Sequence, residues 1–305
     1  MSEPVPMGPL RRGVREIGLG LITLGVIVLL FVAYELLGTN IAEAHSQSNL
    51  KRSFSSAVSA SKTSGSDAPT LGSGAGATNS DLPPGGAIDH LVIPRIGVDK
   101  YVVQGIGEAD LRRGPGHYPE TVMPGQIGNA AIAGHRTTYG APFFDLNQMK
   151  DGDDIFLTDT QGRRWDYRVT RSFVVTPTDV SVLDPTPIAQ LTLTTCNPRF
   201  SATNRLIVTA QLYGQAPLPA PAPPTVQSAP KLVADKTLGH GNSNAWTPAI
   251  LYGLLVAGLW AIARIFINRT RRWWRLAAYV VGIGVSLVPL WFCFENVSLL
   301  LPQNI

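Results

Sequence analysis

The sequence predicts an all-β domain combined with three transmembrane α-helices. Two observations predict this fold class. The chain has a mean hydropathy of +0.12 and only 15% charged residues, which is too apolar for an ordinary soluble enzyme. Its central part carries short runs rich in Val, Ile, Thr and aromatic residues, separated by Gly, Pro, Asp and Asn, as β strands are. From these runs alone we predict a β barrel or a β sandwich.

Three apolar stretches are long enough to be transmembrane helices: residues 17–37, 248–267 and 276–294. Each has about 20 residues, which at a rise of 1.5 Å per residue cross a hydrocarbon core of roughly 30 Å. Only a short basic loop separates the last two stretches. They therefore form a predicted helical hairpin.

Arginines set the predicted orientation of these helices. They cluster in residues 1–16 and in the loop 268–275, and basic residues that flank membrane helices favour the cytoplasm. The intervening chain and the C-terminal residues 295–305 are then extracellular. We therefore predict a multi-pass protein of the cell membrane whose folded domain is extracellular.

A cleaved secretory signal peptide is an alternative for the first stretch, because Ala42, Glu43 and Ala44 have the small-x-small pattern of a cleavage site. The apolar stretch is longer than the roughly 7 to 15 residues of a signal-peptide core, which favours a spanning helix. The C-terminal hairpin would anchor the chain in either case.

The basic balance of the chain does not point to nucleic acid. The net charge is +4 and the isoelectric point is near 9.2. Residues 38–247 nevertheless hold 17 basic and 17 acidic side chains, so the basic excess lies in the helices and their cytoplasmic flanks. A neutral extracellular part lacks the excess positive charge that binding to phosphates needs. No nucleic-acid partner is predicted.

Composition also predicts where the folded domain begins and ends. Residues 38–87 are rich in Ser, Gly and Ala and bury too little apolar surface to offset chain entropy, which predicts a flexible tether. Residues 215–247 begin with a proline-rich run, which is typical of a stiff polyproline-II linker. Between them, residues 88–214 have the size of one domain.

Few residues of this domain offer chemistry. No motif for a nucleotide, a cofactor or a metal ion is present, so no cofactor and no metal site are predicted. Cys196 ends the strand-like run LTLTTC, and Arg205 opens the next run nine residues later. If these runs pair as neighbouring strands, the thiol and the guanidinium lie near the same rim. His135 ends a third run at a polar, turn-rich segment, where loops on a rigid scaffold carry function.

Each of these three residues also has a purely structural explanation. Cys196 could be a small buried hydrophobe, Arg205 a solvated residue at a strand end, and His135 a surface or capping residue. The strings around them favour chemistry, because AIAGHRTTYGAPF and LTLTTCNPRFSATNRLIV resemble the two signature segments of the sortases. These are membrane-anchored cysteine transpeptidases of bacterial cell surfaces, and the resemblance covers about residues 88–214.

The resemblance implies a closed β-barrel of about eight strands with short helices. It also implies that Cys196 is the nucleophile, His135 the catalytic histidine and Arg205 the catalytic arginine. A cationic setting would raise the reactive thiolate fraction of the cysteine, and an imidazolium could protonate the leaving amine. An arginine could donate hydrogen bonds to the oxyanion of each tetrahedral intermediate.

Within the family, the segment RGPGHYPET and the composition are similar to class E sortases of high-GC actinobacteria. This likeness implies that Tyr118 lies beside the catalytic centre and favours Ala at the second position of the sorting motif, with a packing role as the alternative. Thr194 and Thr195 are expected to line the substrate groove, with strand propensity as the alternative explanation. His117 is a further candidate for substrate binding.

The family reaction is cleavage of a C-terminal signal of the LPxTG or LAxTG kind between Thr and Gly, through a thioacyl enzyme that a cell-wall amine resolves. The implied partners are secreted proteins with such signals, a peptidoglycan precursor or another cell-wall amine, and the lipid bilayer. Two alternatives stay open. One is a thiol peptidase on the same fold with water as the acceptor, and the other is a non-catalytic cell-surface scaffold in which Cys196 is buried and inert.

Overall fold

The computed structural model describes residues 9–64, 86–220, 245–269 and 274–300. The chain divides into two compact units. A helical unit comprises Met1–Gly38 with Trp246–Ser298, and a second unit comprises Thr39–Ala245 with Leu299–Ile305. The strands all belong to the second unit.

The helical unit contains the three predicted membrane segments. Helix α1 spans Pro9–Ala33 and continues as a π-helical turn over Tyr34–Gly38. Near the other end of the chain lie two further long helices, which are numbered α4 (Trp246–Arg269) and α5 (Trp274–Leu300) in chain order. All three are long and apolar enough to cross a membrane. The orientation predicted from the arginines stays a prediction, and residues 1–8 and 270–273 lie outside the described residues.

The second unit is built around a closed barrel of eight strands. They run in the order β1-β2-β3-β4-β7-β8-β6-β5 around the barrel. Their bounds are β1 Ala87–Ile93, β2 Val98–Gln104, β3 Gly116–His117, β4 Gly128–Ala133, β5 Asp154–Asp159, β6 Arg164–Val175, β7 Ala189–Asn197 and β8 Asn204–Leu212. One short helix, α3 (Glu108–Leu111), and several single turns connect them. The predicted all-β barrel with short helices is confirmed.

Alternation along the strands fills the barrel with apolar side chains. In β7 the inward residues include Leu191 and Leu193, and in β8 they include Val208 and Ala210; all four are fully buried in the main core. Because successive side chains of a strand point to opposite faces, the residues between them point out of the barrel. Cys196 and Arg205 belong to this outward set.

The predicted flexible tether is wrong over residues 39–64, which form the long helix α2 (Thr39–Ser64). The segment has few large apolar residues, but Leu50 and Phe54 are one helical turn apart and only 2% and 7% exposed. Glu43 and Gln47 lie on the same face and bond to β2. By composition, the segment has too little apolar surface to fold. The spacing of these four residues nevertheless places them on one face of the helix, so that all of them contact the barrel together. The rest of the predicted tether, residues 65–85, lies outside the described residues.

The folded unit extends slightly past the predicted boundary at residue 214. Leu218 N–H donates to the carbonyl of Gly125 at 2.8 Å, and the Leu218 carbonyl accepts from Ile127 N–H at 2.9 Å. The Leu218 side chain packs against the barrel core. The first residues of the predicted proline-rich linker therefore belong to the barrel, and residues 221–244 lie outside the described residues.

Candidate active site

The thiol of Cys196 and the guanidinium of Arg205 meet at one end of the barrel. Strands β7 and β8 pair antiparallel, with Cys196 directly opposite Arg205. Arg205 Nη1 lies 3.6 Å from Cys196 Sγ and also donates to the carbonyls of Ala202 and Asn204 at 3.0 and 3.2 Å. Pro198 follows the last residue of β7, so the chain leaves the ladder just after the cysteine. The sequence prediction that these two groups share a rim is confirmed.

His135 follows β4, the neighbour of β7 on the side away from β8. Strands β4 and β7 pair in parallel, with Ala133 opposite Thr194, and Gly134 N–H donates to the Thr194 carbonyl at 3.1 Å. Continuing this register by two residues brings His135 level with Cys196. Neighbouring strands are about 4.8 Å apart, so the backbone of His135, two residues past the end of β4, lies beside Cys196, which pairs with Arg205 on its other side.

The segment around His135 is closely packed. A Cβ on Gly134 would overlap the ring of Phe143, which is fully buried, so a glycine is required directly before the histidine. His135 itself is 2% exposed. Its carbonyl accepts a hydrogen bond from Phe143 N–H at 3.2 Å.

Two arginines act on the electrostatics of the thiol. Cys196 is 1% exposed, and burial raises the pKa of its thiol above the ordinary value, while Arg205 and Arg136 act in the opposite direction. Burial has the larger effect, so the thiol is neutral at neutral pH in this state. A nucleophilic role therefore requires a base that removes the thiol proton.

Arg136 is a residue of this site that the sequence analysis did not single out. It is 3% exposed, and its Nη1 donates to the Cys196 carbonyl at 2.8 Å and to Asn197 Oδ1 at 2.7 Å. Its Nη2 donates to Asn147 Oδ1 at 3.0 Å. Arg136 thus joins the segment after β4 to the end of β7. Its only sequence signal is its position directly after His135.

Tyr118 lies on the same outer side of the barrel as the thiol. It packs with Leu111, Ile106 and Ala133 in a small apolar cluster. Of these, Ala133 is the last residue of β4 and lies two residues before His135 in the chain. Burial raises the pKa of Tyr118 to about 12, with a smaller opposing effect of Arg205 and small contributions from Glu120 and Cys196. The phenol is therefore neutral and lies within electrostatic range of both Cys196 and Arg205. Its expected position beside the catalytic centre and its role in substrate choice both stay predictions.

His117 does not face the thiol as a free substrate-binding group. It is fully buried, with Nδ1 3.1 Å from Gln104 Oε1 and Nε2 2.9 Å from the Val122 carbonyl. Burial lowers the pKa of His117 to about 4, so the ring is neutral. The structure gives this histidine a part in holding β3 and the following loop rather than a contact with substrate.

The two threonines before Cys196 point to opposite faces. Thr194 is on the same face as Cys196 and is 5% exposed, whereas Thr195 is fully buried and points inwards by strand alternation. Thr195 Oγ1 donates to the Gly134 carbonyl at 2.7 Å. Thr194 stays a candidate for the substrate groove. Thr195 instead ties β7 to the residue before His135, which corrects its expected contact with substrate.

No metal-binding cluster is found in the described parts of the chain. There, no group of three or more His, Cys, Asp and Glu side chains could hold a metal ion.

Comparisons with known proteins show that this chain is similar to sortases. A model of the Sortase domain matches residues 91–213. Sortase SrtE1 of Streptomyces coelicolor is 36% identical over 219 residues, which are 67% of this chain and 58% of that protein. Sortase A of Streptococcus agalactiae is 34% identical over 132 residues, which are 41% of this chain and 52% of that protein. The chain spans between about half and two thirds of the length of the curated relatives it matches.

Solved structures of similar sequence include two class E sortases. Sortase E from Streptomyces avermitilis is 39% identical, with a TM-score of 0.40, over 45% of this chain and 93% of that one. Sortase E1 from Streptomyces coelicolor, crystallised with a tripeptide in the active site, is 34% identical, with a TM-score of 0.41, over the same shares of the two chains.

Proposed function

The chain belongs to the sortase family of cysteine transpeptidases, and on this premise we propose that it cleaves C-terminal sorting signals of secreted proteins and transfers these proteins to a cell-wall amine. The observation that carries the proposal is the Cys196 thiol 3.6 Å from the Arg205 guanidinium, with His135 two residues past the end of β4, the strand that pairs with β7 on its other side. This is the arrangement of nucleophile, base and oxyanion donor that acyl transfer needs.

In the first half of the proposed reaction, Cys196 attacks the carbonyl carbon of the Thr in the signal. Because the thiol is neutral in this state, its proton passes to His135 as the Sγ–C bond forms. Arg205 donates a hydrogen bond to the oxyanion of the tetrahedral intermediate, which its permanent charge suits. The C–N bond to Gly then breaks, the Gly amine leaves with the proton from His135, and a thioester between Cys196 and Thr remains.

The second half returns the enzyme to its starting state. An amine of a peptidoglycan precursor or of the cell wall attacks the thioester carbonyl and loses a proton to neutral His135. Arg205 stabilises the second oxyanion in the same way. When the C–S bond breaks, the thiolate takes back the proton from His135, and a new amide joins the secreted protein to its acceptor.

Substrate choice in this proposal depends on the outer face beside the thiol. Tyr118 and Thr194 lie on that face, one on each side of Ala133. A partly buried aromatic ring leaves little room next to the peptide backbone, which supports a preference for Ala over Pro at the second position of the signal. An LAxTG peptide is therefore the proposed better substrate.

The proposed place of action is the outer face of the cell membrane. The three long apolar helices support membrane anchoring, and the arginine clusters that flank them support an extracellular barrel. A catalytic unit on that side meets both secreted proteins and wall precursors.

Turnover of an LAxTG peptide by the full-length chain in detergent tests the proposal. We expect release of the Gly-containing product, and a thioacyl adduct on Cys196 detectable by mass spectrometry. Cys196→Ala should abolish both. Cys293→Ala is the matched control, because Cys293 lies in α5 with Sγ 3.6 Å from the Ala249 carbonyl, and it should retain full activity. Turnover that survives Cys196→Ala would overturn the assignment.

The acceptor distinguishes transfer from hydrolysis. With peptidoglycan-stem amines or oligoglycine present, we expect a ligated product in excess over free acid. If only the free acid ever forms, the protein is a thiol peptidase on the same fold. If neither an LAxTG nor an LPxTG peptide gives an adduct or a product, a non-catalytic scaffold is the better explanation.

A further inference from the structure

The first residues of α2 hold the turn that follows His135. Asn40 Oδ1 accepts a hydrogen bond from Gly140 N–H at 2.8 Å, and Thr39 Oγ1 accepts one from Tyr139 N–H at 3.3 Å. Two successive backbone donors of this turn are thus bonded to side chains about one hundred residues earlier in the chain. The turn itself is closed by Ala141 N–H, which donates to the Thr138 carbonyl at 2.9 Å.

The backbone of this turn has a conformation that needs outside support. Tyr139, Gly140 and Ala141 have φ values of 49°, 74° and 41°, so three successive residues are in the left-handed region. For residues other than glycine, this backbone conformation costs about 1 kcal/mol or more per residue. It persists only where contacts with the surrounding structure hold it in place. The hydrogen bonds that the turn donates to Thr39 and Asn40 of α2 are part of these contacts.

The turn also contacts the histidine directly. The Tyr139 and His135 rings lie 5.2 Å apart between centroids at an angle of 39°. Tyr139 is 7% exposed, and the Arg112 guanidinium lies 5.3 Å from the centroid of its ring. Movement of Tyr139 would therefore change the packing around the imidazole.

Helix α2 is itself fixed to the barrel. Gln47 Oε1 accepts from Tyr101 N–H at 2.7 Å, and Gln47 Nε2 donates to the carbonyls of Tyr101 and Arg113 at 3.0 and 2.8 Å. Lys100 Nζ bonds both carboxylate oxygens of Glu43, at 2.7 and 2.8 Å. The start of α2 therefore holds a constant position relative to β2, and it can act as a rigid support for the turn.

We propose that Thr39 and Asn40 are positioning residues, which hold the turn Thr138–Ala141 and so fix the His135 imidazole beside Cys196. This inference rests on the proposed function. Thr39 follows Gly38, the last residue of the apolar N-terminal helix. The support for the turn that follows His135 therefore begins at the residue after the proposed membrane anchor. The segment between anchor and barrel then has a part in catalysis in addition to its part in tethering.

Asn40→Ala in the full-length chain tests the proposal. The variant removes the acceptor for Gly140 N–H, and we expect kcat for an LAxTG peptide to fall by roughly 10-fold or more, since small displacements of a catalytic group have large effects. KM should change less than twofold, because the bond that is lost goes to the Gly140 backbone and not to a residue proposed to contact substrate. Asn40→Asp keeps an oxygen acceptor and should recover most of kcat.

Asn49→Ala is the matched control on the same helix. Asn49 is exposed and bonds only to the side chain of Arg52 in the described structure, so its loss should leave kcat unchanged. An equal fall in kcat for Asn40→Ala and Asn49→Ala would overturn the proposal. So would a fall in kcat that Asn40→Asp does not reduce.

Hydrogen exchange gives a readout that does not depend on activity. In Asn40→Ala, deuterium uptake should rise in peptides that cover residues 136–143 and stay unchanged in β6. Unchanged uptake in 136–143 overturns the contact, and raised uptake with unchanged kcat overturns the positioning role. If the wild-type chain turns over no sorting peptide, the proposed function fails on its own, while the exchange result still reports whether α2 holds the turn.

Discussion

Arg136 donates a hydrogen bond to the backbone carbonyl of Cys196, the residue that carries the candidate nucleophile, at 2.8 Å. The same guanidinium bonds Asn197 Oδ1 and Asn147 Oδ1. Because Arg136 directly follows His135 in the chain, one side chain joins the imidazole-bearing segment to the thiol-bearing strand. This bond makes the relative position of His135 and Cys196 depend on Arg136.

Replacing Arg136 by Met should lower activity and raise the thiol pKa further. The change removes one of the two positive charges that lower the pKa of Cys196, the other being Arg205. It also removes two hydrogen bonds to the end of β7. We expect kcat/KM for a sorting peptide to fall at least 10-fold. The unfolding free energy should fall by about 3 kcal/mol, because a buried charged donor is lost. Arg168→Met is the control, since Arg168 lies on β6 and bonds Asp154, and an equal loss there would contradict a special part for Arg136.

The alkylation of Cys196 should be strongly pH-dependent. Burial raises the pKa of this thiol above its ordinary value, and only the thiolate reacts, so the rate with iodoacetamide should still be rising above about pH 8.5. Arg205→Met should move the profile to higher pH, and Arg205→Lys should move it less. The rates would be measured in a Cys293→Ala background. A half-maximal rate well below pH 8.5 in the wild-type chain would contradict the buried, neutral thiol.

Thr195→Val and Thr194→Val should have different effects. Thr195 Oγ1 bonds the Gly134 carbonyl inside the fully buried core, so its loss should lower the unfolding free energy by about 1 to 3 kcal/mol. Thr194 lies on the same face of β7 as Cys196. Loss of its hydroxyl group should therefore change KM for a sorting peptide more than it changes the free energy of unfolding. Denaturant unfolding and steady-state kinetics measure the two effects. The reverse pattern would contradict the assigned faces.

His117 should make the folded state sensitive to acid. Burial lowers its pKa from 6.5 to about 4, so the unfolded chain binds the extra proton first and stability falls as pH drops from about 6.5 to 4. The corresponding change in unfolding free energy is about 3 kcal/mol. His117→Gln keeps a donor and an acceptor for Gln104 and the Val122 carbonyl, and it should reduce this acid dependence. An identical pH dependence in the variant would show that His117 does not contribute.

Asp89 should have the opposite pH dependence. Its side chain is 1% exposed, and neither carboxylate oxygen has a hydrogen-bond partner among the described residues. Burial raises its pKa well above the ordinary value, and Asp159 adds to the shift. The folded state therefore holds the proton longer, and this group lowers stability as pH rises above about 4. Asp89→Asn removes that effect and should raise the melting temperature at pH 7 and change it less at pH 4; an equal change at both values would contradict a buried titrating carboxyl.

Several features of the fold and the site follow from local patterns. The three apolar helices follow from segment length, and the strands follow from short β-branched runs. Cys196 and Arg205 were predicted to share a rim because two such runs are joined by a short loop. Alternation within LTLTTC also separates Thr195 from Cys196, so a strict period of two could have assigned Thr195 to the core in advance.

Other features depend on contacts between distant residues. The sequence alone predicts the apolar helices, the strand content, the family and the three residues of the proposed chemistry, because each prediction depends on patterns within about twenty neighbouring residues. The folded structure adds contacts that no local pattern predicts: α2 takes the place of residues 39–64 of the predicted tether, Arg136 bonds the Cys196 carbonyl, and His117 is buried. Helix docking and burial depend on complementary surfaces that are far apart in the chain, and local patterns in a single sequence do not show which surfaces meet.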